Sequence, residues 1–155
     1  MRSRTWIGSS LIVLLPLLVV SASLGAQERR TFSPPGEPTN LPFTPGIQVG
    51  DMLFIAGHEG TPLTGDIESE TRQALAAIKK VLDAAGFKVT DVVQVTVYLK
   101  DIADFPKMNG VYREFFPDPK PTRTTVQVAG LFNDARVEIT SVAVRSHTPA
   151  AGSAR

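Results

Sequence analysis

The side chains in this sequence whose types and spacing best suit them to chemistry are Arg123 and Glu138, both within residues 121–140, PTRTTVQVAGLFNDARVEIT. A guanidinium is a planar fork that binds a carboxylate through two parallel hydrogen bonds, and a glutamate can serve as general base toward water. The residues around them alternate as strands do. Thr124, Val126 and Val128 fall on one side of an extended chain, with Arg123, Thr125, Gln127 and Ala129 on the other. Val137, Ile139 and Ala143 then oppose Arg136, Glu138 and Thr140. Between the two runs Asn133-Asp134 supplies turn chemistry. The stretch therefore predicts a hairpin that sets Arg123 and Glu138 side by side on one polar face. The same pattern also fits an ordinary cross-strand salt bridge, worth up to about 1 kcal/mol when exposed.

Two such strands need a sheet and a core behind them. GIQVGDMLFIAG reads as a second hairpin, with Val49-Gly50-Asp51 as its turn and Gly57 ending the strand or allowing a close backbone approach. Asp66 is a helix N-cap, Glu68 and Glu70 suit the first turn, and Gly86 is the stop. Within that helix Ala74, Leu75, Ile78, Val81, Leu82 and Ala85 recur at spacings of three and four, a stripe that packs on a sheet. VVQVTVYL, residues 92–99, is the clearest strand signal. A second helix is expected over residues 104–116, packing through Phe105, Met108, Tyr112, Phe115 and Phe116, with Pro106 tolerated in its first turn. The predicted order is β-β-α-β-α-β-β: an α+β domain with a mostly antiparallel sheet covered on one face by two helices.

The remaining segments bound the function classes. Arg2 and Arg4 precede an apolar run over residues 6–20 and a small-residue processing point after Ala26, so residues 1–26 read as a signal peptide and the protein as exported, periplasmic or secreted. An uncleaved anchor is the alternative, and the leader is the only membrane partner the sequence suggests. Residues 27–40 read as an extended polar arm, residues 41–146 as the domain and residues 147–155 as a fraying tail. With no cysteine the fold rests on its core alone. Without the leader, 14 basic residues face 15 acidic ones, so nothing in the overall charge favours binding nucleic-acid phosphates. There is no cofactor motif, and two distant histidines, His58 and His147, make weak metal ligands.

The order and spacing of PFTPGIQVGDMLFIAGH, LDAAGF, VTVYLKDIADF, MNGVYREFF, PTRTTVQVAGL and VEITSVAV resemble the Rid family, the reactive intermediate deaminases. The resemblance covers residues 41–145. It implies a chorismate-mutase-like fold, a homotrimer, and sites in clefts between subunits. By the same resemblance Arg123 falls on the arginine that binds the substrate carboxylate, and Glu138 on the glutamate that positions the attacking water. Asn109 matches a commonly found asparagine and Gly57 the glycine after the second strand. Phe43, Ala56 and Thr125 stand where active members often carry tyrosine, serine and cysteine, and the loop before Arg123 is shortened.

The resulting expectation is hydrolysis of small 2-imino or enamino acids to 2-oxo acids and ammonia, without cofactor or metal. Arg123 and Glu138 are the catalytic candidates, and Phe43, Ala56, Gly57, Asn109 and Thr125 join Arg123 around the substrate. Plainer readings stand beside these. Asn109 is also a normal exposed or loop-capping residue, Thr125 a normal β-branched strand residue, Phe43 a packing residue, and His58 a structural or loop residue. Two other functions fit less well: a noncatalytic module capturing a small carboxylate, and an endoribonuclease or translation inhibitor.

Overall fold

The computed structural model describes residues 27–38 and 40–146, so the signal peptide expected over residues 1–26 and the tail expected over residues 147–155 lie outside the described residues. The elements are β1 (Arg29–Phe32), β2 (Gly46–Val49), β3 (Met52–Glu59), α1 (Ile67–Ala85), β4 (Val92–Leu99), α2 (Phe105–Phe115), β5 (Thr122–Gln127) and β6 (Val137–Val144). They form one six-stranded sheet, ordered β1-β2-β3-β6-β4-β5, with both helices packed on one face. Among the described residues no helix is long and apolar enough to cross a membrane.

Local chemistry sets the helix ends. The Asp66 carboxylate accepts from Ser69 N at 2.9 Å, and Gly86 closes α1 with a left-handed φ of 71°. The expected stripe from Ala74 to Ala85 is buried throughout. Each of its large aliphatic side chains contributes about 1.5–3 kcal/mol on leaving water. It meets Leu53 and Ile55 of β3, Val95, Val97 and Leu99 of β4, and Val137 and Ile139 of β6 in a single core. The β2–β3 hairpin turns through Gly50 as expected, with Val49 opposite Met52.

The structure departs from the sequence reading at two places. Within the polar arm, RRTF is a strand, β1, which pairs with β2 from Arg29–Val49 to Phe32–Gly46. Its side chains are almost all exposed, so backbone pairing holds it and no alternation advertises it. More consequentially, β5 and β6 do not form a hairpin. Strand β4 lies between them, antiparallel to β6 and parallel to β5. Helix α2 provides the crossover that a parallel pair requires. The Asn133-Asp134 turn exists, with both residues at positive φ, but it lies in a connection that passes the end of β4, where Val128 N donates to Leu99 O and Lys100 N to Arg136 O.

Register then separates the two candidate site residues. Arg123 is aligned with buried Val95, on the side of the sheet that faces the helices. Glu138 is aligned with Tyr98, on the open side, while its neighbours Val137 and Ile139 are buried. Within one protomer Arg123 and Glu138 occupy opposite faces of the sheet. The alternation along each strand is as read, but the apolar side of β5, Thr124 and Val126, is the exposed one. The reason is α2, whose aromatic rings take the guanidinium on the helix side.

Candidate active site

One half of the site is a cavity of about 410 Å³ at the end of β3, where β2 no longer pairs with that strand. The β3–β6 ladder slips between Ile55 and His58, so Ala56 and Gly57 form a bulge, stitched by Thr140 Oγ1 donating to Ile55 O at 2.6 Å. Gly57 is required here for space. A Cβ on it would overlap Glu138 Oε1 outright and lie 2.8 Å from Glu138 Cδ. The Glu138 carboxylate thus rests flat on the Gly57 backbone and faces the cavity, with Phe43, Leu41 and Phe132 at its apolar side. Ala56 sits beside it in the bulge but is not part of the cavity lining.

The other half lies on the helix side of β5. Arg123 Nη1 donates to Asn109 Oδ1 of α2 at 2.9 Å, and the guanidinium sits 4.4 Å from the centroid of Tyr112 and 5.4 Å from that of Phe105. Such cation–π contacts contribute about 0.5–2 kcal/mol and fix the plane of the fork. Among the described residues no acid pairs with Arg123, so the cross-strand salt bridge with Glu138 is excluded. Thr125, on the same side of β5, keeps a buried Oγ1 with no hydrogen-bond partner, and so does the Tyr112 hydroxyl. Burial pushes the Tyr112 phenol up to about 12, against the opposing pull of Arg123, so it is a protonated donor at neutral pH.

Asn109, Arg123 and Thr125 therefore gather on the helix side of β5, and Glu138 with Gly57 on the open side of β6 and β3, at a cavity around the sheet end that also reaches Phe43 and Ala77 of α1. Glu59 and Glu70 escaped the sequence reading as site residues, and His58, read there as a structural or loop residue, borders the cavity. Glu59 lines the cavity opposite Glu138, and its carboxyl is raised above the usual range by desolvation, then by Glu138 and Glu70. His58 also lines the cavity with a buried, unpartnered Nε2, and desolvation lowers its imidazole despite Glu37 nearby. Glu70, only 1% exposed, accepts from Thr64 N, Gly65 N and Arg136 N, tying α1 to the loops on either side of the cavity. A clue existed: Glu70 stands four residues before Ala74 and eight before Ile78, squarely on the buried stripe. Among the described residues no cluster of three or more potential ligands is placed to hold a metal ion.

The chain matches the family model described as Endoribonuclease L-PSP over residues 36–145. A RutC family protein of Pyrococcus horikoshii is 46% identical over 110 residues, covering 67% of this chain and 87% of the relative. A 2-iminobutanoate/2-iminopropanoate deaminase of Dermatophagoides farinae is 39% identical over 123 residues, covering 75% and 96%. The crystal structure of Escherichia coli TdcF with bound serine superposes with a TM-score of 0.70 at 33% identity, covering 76% of this chain and 99% of that one. The fold and these matches together place the chain in the endoribonuclease L-PSP family, the group of YjgF, RutC and Rid-type proteins.

Proposed function

We propose that the protein hydrolyses small 2-imino and enamino acids to 2-oxo acids and ammonia, in a site completed by a second copy of the chain. The observation that carries this reading is the Arg123 guanidinium, half-buried and held by Asn109, Tyr112 and Phe105, with no acid among the described residues to neutralise it. A cation so oriented without a counter-charge is suited to an anionic ligand. The similarity to curated 2-iminobutanoate/2-iminopropanoate deaminases supports a carboxylate-bearing imine as that ligand. In this reading Arg123 of one protomer clamps the carboxylate and Glu138 of a neighbour, resting on Gly57, orients the water that attacks the imine carbon.

Opposite faces of one sheet cannot close on one small molecule, so the reading calls for an oligomer, and we propose a homotrimer. The open face of the sheet supports it: Met52 and Phe54 of β3 and Val126 of β5 are exposed large apolar side chains, as expected of a surface that another subunit covers. Phe43, Ala56 and Thr125 shape the substrate range: Phe43 and Ala56 take two hydroxyls away from around the pair, and Thr125 puts a secondary hydroxyl where a thiol often stands. The family description names an endoribonuclease, but the nearly balanced charge and the lack of a base-stacking pattern in the sequence favour a small substrate over RNA. We further propose that residues 1–26 direct export; the N-terminal residue of the protein recovered from its native host tests that directly.

The activity test is ammonia release from freshly generated 2-iminopropionate. The expected result is acceleration over buffer that is lost in Arg123→Ala. Absence of acceleration would reject catalysis, with calorimetric binding of 2-oxo acids then identifying a capture module, and full activity in Arg123→Ala would reject the clamp.

A further inference from the structure

We infer that Glu59 is a second catalytic carboxyl, sharing one proton with Glu138 and acting as general acid toward the imine nitrogen. The proposal rests on the deamination reading above and adds a proton donor to it. Its basis is geometric. Glu59 of β3 is the direct partner of Glu138 of β6, both line the same cavity, and directly opposed residues of an antiparallel pair carry their Cβ atoms about 5 Å apart. Among the described residues of one protomer neither carboxyl is in an ion pair, so within the subunit no cation offsets their mutual repulsion, and the neighbour's Arg123 is engaged by the substrate carboxylate. Like charges facing each other across a ladder destabilise a sheet, and two carboxyls in that position relieve the repulsion by holding a single proton.

The surroundings decide which of the two keeps it. Glu59 faces Glu138 from β6 and Glu70 from α1, and Glu37 of the arm and His58 of β3 border the same cavity. Every one of these neighbours is acidic or, in the case of His58, held toward the neutral form. Desolvation raises Glu59 in the same direction, so we assign the shared proton to Glu59 and the base role to Glu138.

The proton bookkeeping closes. Glu138 takes a proton from water as the oxygen–carbon bond forms, and Glu59 gives its proton to the imine nitrogen, yielding a carbinolamine with Glu138 protonated and Glu59 ionised. In the second step Glu59 removes the hydroxyl proton and Glu138 protonates the departing nitrogen as the carbon–nitrogen bond breaks. A 2-oxo acid and ammonia leave, and both carboxyls return to their starting states. No oxidant, reductant or metal enters the sequence.

The test compares pH profiles of kcat for wild type and Glu59→Gln with 2-iminopropionate, after subtraction of the uncatalysed rate. The imine itself titrates, so the readout is the ratio of the two profiles. Glu59→Gln should lower kcat by about a hundredfold, the usual scale of general acid catalysis, with KM nearly unchanged and the ratio shrinking toward alkaline pH as wild type loses its own proton. A carbon-13 titration should also show the Glu59 carboxyl returning toward the ordinary glutamate range in Glu138→Gln. Wild-type kcat in Glu59→Gln, or a loss that is the same at every pH, would overturn the acid role while leaving deamination standing. An inactive wild type would instead reject the deamination reading and this role with it.

Discussion

Replacing Gly57 with alanine tests the packing that orients Glu138. The new Cβ would overlap Glu138 Oε1 and sit 2.8 Å from its Cδ and 3.2 Å from its Cγ, where real Cβ atoms keep at least 3.0 Å. Gly57 does not have a positive φ, so alanine fits its backbone without strain. The collision falls on the far end of a flexible side chain rather than on backbone, so the carboxylate yields and the sheet does not. It must retreat by roughly an ångström, a displacement that at a reacting centre costs about a hundredfold in rate, or about 2.7 kcal/mol of transition-state stabilisation. Stability should change by less than about 1 kcal/mol, since Gly-to-Ala at a compatible position is mildly stabilising. Ammonia release from 2-iminopropionate, alongside thermal unfolding of the same preparation, separates the two effects. A kcat within threefold of wild type, or activity lost together with the fold, would refute the argument.

Other perturbations probe the remaining parts. Arg123→Lys keeps the charge but removes the two-pronged fork, so KM for 2-iminopropionate should rise about tenfold or more, measured by initial rates. Glu70→Ala leaves Thr64 N, Gly65 N and Arg136 N without their acceptor and should cost about 3 kcal/mol in urea unfolding, with m unchanged. The lowered His58 imidazole resists protonation in the native state, while the unfolded chain takes up a proton below the ordinary imidazole value of 6.5. Its stability contribution is therefore present above that pH and lost as pH falls toward the lowered value, a dependence that Glu59, raised from 4.5, opposes by favouring the fold at low pH. Urea midpoints from pH 5 to 8 should show a steeper acid-side loss in wild type than in His58→Gln.

Much of this was legible in the residues, and the failures have physical causes. The N-cap at Asp66, the left-handed stop at Gly86 and the alternation over residues 92–99 are local signals, and each element lies where they put it. Strand pairing is not local. Asn133 and Asp134 do turn the chain, but a turn does not reveal whether the strands flanking it are neighbours, and β4, buried along its whole inner side, claimed the position beside β6. The two-residue period assigned Arg123 and Glu138 to one polar side because nothing in β5 shows that α2 would offer Tyr112 and Phe105 to the arginine. Strand β1 was invisible because an exposed edge strand held by backbone bonds needs no side-chain pattern. The resemblance to the Rid family already implied sites between subunits. The register adds that Arg123 and Glu138 of one subunit lie on opposite faces of its sheet, which is what the proposed shared site has to reconcile.

The most direct test of that division is complementation between two inactive variants. Arg123→Ala and Glu138→Gln proteins should each lose activity alone. Unfolded together in equal amounts and refolded, they would form mixed oligomers in which some sites receive Arg123 from one protomer and Glu138 from another, restoring about a quarter of wild-type activity for random mixing across heterologous interfaces. Refolded mixtures no more active than the separate variants would contradict a shared site.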